Sequence, residues 1–99
     1  MNASAKIVVL KLKHPITSFP AFKAKIEKLN HVALSEFVYI VRTRTAAPEL
    51  CDEFSAIFYD QGSVFVSCLC PPCRGHGVYP EAQKAMGLVN PPEAGQCES

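Results

Sequence analysis

The sequence predicts an α+β domain of ferredoxin-like βαββαβ order: a four-stranded antiparallel sheet with two helices on one face, plus a C-terminal extension. Three observations predict it. Apolar positions switch between period two and spacings of three and four along residues 6–70. Each helical segment carries one apolar stripe, and a short hairpin separates the two segments.

The first strand is expected over Lys6–Lys13, where Val8, Leu10 and Leu12 point one way and Val9, Lys11 and Lys13 the other. His14-Pro15 ends it, because proline gives no hydrogen to the ladder. Phe19, Phe22, Ile26 and Leu29 then form a helical stripe, with Thr17 or Ser18 as cap and Pro20 in the first turn. Asn30 closes that helix as a left-handed residue. His31–Leu34 and Phe37–Thr43 read as the arms of a hairpin turned at Ser35-Glu36, the second arm rich in β-branched and aromatic residues.

Thr45 is the expected cap of a second helix with Pro48 in its first turn and Glu49, Asp52 and Glu53 toward its positive end. Ala47, Leu50, Phe54, Ile57 and Phe58 make its stripe. Gly62 closes the connection, and Ser63–Cys70 is the last strand of the core. Pro80 opens a short helix through Met86, stopped by Gly87. The domain is thus expected over residues 1–86, with a core at 6–70 and a tail segment at 71–86. Residues 87–99 read as a flexible terminus.

The chain has 99 residues, the size of one domain, and its 48% apolar and 19% charged content excludes a disordered chain. A domain this small buries a modest share of its surface, and a homodimer is expected to add to it. The apolar run Ile7-Val8-Val9-Leu10 is too short for a secretory signal or a membrane span. The expected setting is therefore the cytoplasm, with no membrane partner and with five cysteines reduced or metal-bound.

Net charge is +1, yet its distribution is uneven. Residues 1–44 hold eight Lys/Arg against Glu27 and Glu36, giving +6; residues 45–99 hold Arg74 and Lys84 against seven acids, giving −5. One reading of this asymmetry is a basic face and an acidic face; the other is two solvated helices.

The stretches KIVVLKLK, FKAKIEKLNHVALSEFVYIVRT, APELCDEFSAIFYDQGSVFV and GHGVYPEAQKAM span roughly residues 6–86. In their order of apolar and turn positions they resemble the small CRISPR-associated integration subunits. The resemblance is closer to their SinR-like relatives, a superfamily that also takes in VapD-like toxins. It implies a ferredoxin-like homodimer in which the C-terminal strand or tail of one subunit packs on the other. It also implies a link to nucleic acid, through a metal-dependent nuclease or a non-catalytic scaffold on duplex DNA. The nucleases of that family carry an acid at the end of the first strand. Here that position reads Leu12-Lys13-His14, and no Asp precedes Asp52, which disfavours a Mg²⁺ site.

Four basic residues, Lys11, Lys13, Arg42 and Arg44, are the candidate nucleic-acid contacts, aimed at duplex DNA or RNA backbone. Cys68, Cys70, Cys73 and His76 supply three sulfurs and one imidazole, a donor set suited to a structural zinc ion. The competing reading makes Cys68 and Cys70 small core residues. Cys70-x-x-Cys73 follows a strand into Pro-Pro, which argues against thioredoxin-type chemistry, and Cys51 beside the second stripe reads as packing. No catalytic set emerges. The expected function is a non-catalytic, SinR-like, nucleic-acid-associated or scaffold homodimer. The alternatives are a protein-interaction module with a basic partner, of toxin–antitoxin or phage–host type, and a metal-dependent nuclease.

Overall fold

The computed structural model describes residues 3–69 and 80–89. The order is β1 (Ser4–Leu12), α1 (Pro20–Ile26), β2 (Asn30–Ser35), β3 (Val38–Thr43), α2 (Ala47–Phe58), β4 (Gly62–Cys68) and α3 (Pro80–Val89). Short 3-10 turns occupy Ile16–Ser18 and Tyr59–Gln61. The strands form one antiparallel sheet in the order β2-β3-β1-β4, the ferredoxin-like arrangement that the sequence predicts.

Alternation along β1 explains how the sheet buries two faces. Val8 and Leu10, with Tyr39 and Val41 of β3, meet Phe22 and Ile26 of α1 and Leu50, Phe54 and Phe58 of α2. Phe22 is fully buried, with its ring centroid 5.1 Å from Phe54, 5.2 Å from Phe58 and 5.3 Å from Tyr39. Burying one such ring contributes about 2–3 kcal/mol. Lys25 and Glu53 form an ion pair between α1 and α2.

The opposite face has its own cover, which the periodicity does not foretell. Ala85 and Val89 of α3 pack on Ala5, Val32 and Ile40, with Ile7, Leu69 and Leu88 alongside. The helix runs past Gly87, its expected stop, because Val89 gains a buried site on the sheet. Residues 90–99, most of the expected flexible terminus, lie outside the described residues.

The helix starts also differ from expectation. Phe19 and Ala46 are the N-caps of α1 and α2, and neither makes a side-chain cap. Thr43 Oγ1 instead accepts from Thr45 N at 3.2 Å, so these threonines shape the turn before α2. α1 ends at Ile26, and Asn30 begins β2 in extended backbone. Among the described residues Tyr59 is the one non-glycine with positive φ, at 52°.

Candidate interaction surface

Among the described residues, α3 covers one half of the outer sheet face and leaves the other half open. Pairing partners in antiparallel strands share a face, so Val38, Val9 and Phe65 line up across β3, β1 and β4. Val9 is 38% exposed and Phe65 55% exposed, whereas Val38 is half-buried. The next position along is the pair Lys11 and Ser63, both exposed. On this open half Lys11 is the single charged residue among the paired positions of β1 and β4. α3 stands on the other half, over β2 and β3, and Arg42 Nη1 ties it down by donating to Leu88 O at 2.9 Å.

β4 is an edge strand, and its register fixes which backbone groups it shows outward. Lys13 N donates to Gln61 O at 2.8 Å and Leu69 N to Ala5 O at 2.9 Å. Residues 61, 63, 65, 67 and 69 therefore turn their amides and carbonyls toward β1. Gly62, Val64, Val66 and Cys68 turn theirs outward, beyond the sheet. Among the described residues, the contact made there is a long one: the Cys51 thiol lies 3.8 Å from Val64 O. That thiol is 4.0 Å from Ser55 Oγ, so small side chains line the side of α2 overhanging the edge. The strand SVFVSC has no charge and no proline, the devices by which edges usually discourage pairing.

The four candidate basic residues split into two pairs. Lys11 and Lys13 lie at one end of the sheet. Arg42 lies opposite Ala5, about six residues and roughly 20 Å away along β1, and Arg44 follows it. Lys11, Lys13 and Arg44 are exposed; Arg42 is half-buried by its bond to α3. A single chain therefore does not gather them into one stripe.

A fifth basic residue of the positive half, Lys6, lies inside the fold at 3% exposure. Its ammonium donates to Ser4 Oγ and Thr43 O, each at 2.8 Å. Desolvation lowers its pKa below the usual lysine value; the neighbouring Cys68 works against that shift and Arg42 adds to it. Its place in the alternation, two before Val8, is the signal in the sequence that it faces inward.

Of the candidate zinc donors, Cys68 is exposed at the end of β4, while Cys70, Cys73 and His76 lie outside the described residues. Among the described residues no group of three or more His, Cys, Asp or Glu is placed to hold a metal ion. Asp52 and Asp60, the acids a nuclease could draw on, are both exposed. Asp60 belongs to a short polar chain: Gln61 Nε2 donates to its carboxylate at 2.7 Å, and His14 Nε2 lies 3.0 Å from Gln61 Oε1. Forty-seven positions separate His14 from Gln61, and only the β1–β4 register brings them together.

No family model, no curated protein and no solved structure matches this chain. Among the described residues no helix is long and apolar enough to cross a membrane.

Proposed function

We propose that this chain is a non-catalytic binding domain of the SinR-like type, working as a homodimer joined through its β4 edges and associating with nucleic acid. The observation that carries the reading is the uncharged outer edge of β4, bare among the described residues. An edge of this kind is a template for a second strand. The strand runs from Gly62 to Cys68, with Phe65 at its midpoint. A two-fold axis at Phe65 would let Val64 of one copy exchange both backbone bonds with Val66 of the other. Gly62 would likewise pair with Cys68, so every outward group is satisfied. Cys51 and Ser55 are small enough to let the two α2 helices approach. The axis would also put the Lys11 and Lys13 pairs of both copies on one continuous sheet, one pair toward each end, so that the joined surface is positive at both ends.

Sedimentation of the purified protein from low to high micromolar concentration tests the dimer. A mass that doubles across that range is expected, with Val66→Pro remaining monomeric and folded by circular dichroism, because it removes one outward amide. A wild-type protein monomeric throughout overturns the edge-paired dimer. Titration with oligonucleotides at about 50 and 200 mM salt tests the second half; binding that weakens with salt is expected. No binding at low salt overturns it.

A further inference from the structure

We infer that the open half of the outer sheet face is a binding floor for single-stranded nucleic acid, with bases stacked on Phe65 and phosphates held by Lys11 and Lys13. The inference rests on the proposed dimer and names the class of nucleic acid it takes.

The geometry points this way for three reasons. The exposed aromatic ring, Phe65 at 55% exposure, lies on a sheet face and not in a helix groove. Ordered across the proposed axis, the strands read β2-β3-β1-β4-β4-β1-β3-β2. The two α3 helices then stand as walls over the outer strands, and the four central strands form a floor about 19 Å wide. Phe65 from each copy meets at the centre in a non-hydrogen-bonded pair, where Cα atoms approach to about 4.5 Å. The paired aromatics that the described sheet face of one chain lacks are thus supplied by two.

The floor's chemistry matches the same ligand. Val9 and Phe65 are apolar, Ser63 is a small polar neighbour, and among the described residues the charge of the open half is the positive charge of Lys11. Lys13 follows at the sheet end, also exposed. Unpaired bases offer a planar face to Phe65 and leave the phosphates free for lysine. A duplex keeps its bases stacked inward and has no such face to offer. An acidic peptide would satisfy the lysines but would leave the ring without a planar partner.

Fluorescence anisotropy with labelled oligothymidylate of about 12 nucleotides, and with a duplex of equal length, tests the inference. The protein is expected to prefer the single strand. Phe65→Leu keeps an apolar side chain at the axis but removes the aromatic face; it is expected to weaken single-strand binding about tenfold and leave the dimer mass unchanged. Lys11→Gln is expected to lower the slope of log affinity against log salt by roughly 0.7 for each phosphate the lysine neutralises. Lys28→Gln, an exposed change outside the sheet, is expected to alter neither.

Binding that favours the duplex, or that is indifferent to Phe65→Leu, overturns this inference while leaving the nucleic-acid reading intact. A dimer that binds neither oligonucleotide at low salt overturns both, and the floor then belongs to a protein partner.

Discussion

Gly62 sits directly opposite Leu12 where β4 meets the end of β1, so close that a Cβ there would stand 2.9 Å from the Lys11 carbonyl oxygen. Its backbone is fully extended, at φ −178°, so the glycine is required by this close approach and not by a turn. Gly62→Ala is expected to cost about 1–3 kcal/mol by forcing the two strands apart. Gly87 is the opposite case: it lies in the exposed interior of α3 with open space where a Cβ would go. Gly87→Ala is expected to stabilise by up to about 1 kcal/mol. Urea unfolding of both variants checks the two signs together, and two changes of the same sign would refute the assignment.

Tyr59 carries a different backbone problem. It terminates α2 at φ 52° and ψ −119°, a region that favours glycine, while its side chain is 82% exposed and contributes little burial. Tyr59→Gly is expected to raise stability by about 1 kcal/mol, read as a higher melting temperature. A loss of stability would mean that the ring makes contacts its exposure does not reveal.

Arg42 reads in the sequence as a phosphate contact, yet its guanidinium serves the fold by holding the C-terminal end of α3. That end is the negative pole of the helix, so a cation there is doubly favoured. Arg42→Ala is expected to speed amide hydrogen exchange in residues 81–89 about fivefold, with β1 and β3 unaffected. Exchange that is uniform across the whole domain would show that α3 does not open separately.

The sign of the Lys6 effect on stability follows from its lowered pKa. Below the folded-state pKa the lysine is charged in both states, and its desolvation cost is present in full. Between that value and the unfolded value near 10.5, the unfolded chain binds more protons, so stability rises with pH. The unfolding free energy of the wild type minus that of Lys6→Met should therefore increase as pH climbs toward that value. Denaturant titrations at neutral and alkaline pH measure this difference. One that stays flat or falls would contradict a costly buried ammonium.

Local pattern in the sequence was enough for the layer facing α1 and α2. Alternation in residues 6–12 and the stripes Phe22/Ile26 and Leu50/Phe54/Phe58 each define a face within one element, and burying those faces leaves few arrangements. Helix caps were less legible, because threonine can serve a turn as well as a helix start, and Thr43 with Thr45 took the turn. The place of α3 was not legible at all. Ala85 and Val89 are too few to announce a buried helix, and what they bury against comes from β1, β2 and β3, over forty residues earlier.

The sequence by itself determined the α+β class, the order of elements and the inner core, because those depend on periodicities that each segment carries alone. Tertiary structure alone decided that α3 covers half the outer sheet and that Arg42 is occupied. It also decided that Phe65 stands exposed between Val9 and the open edge of β4. Each of these depends on which strand lies beside which, and strand register is a property of distant residues meeting.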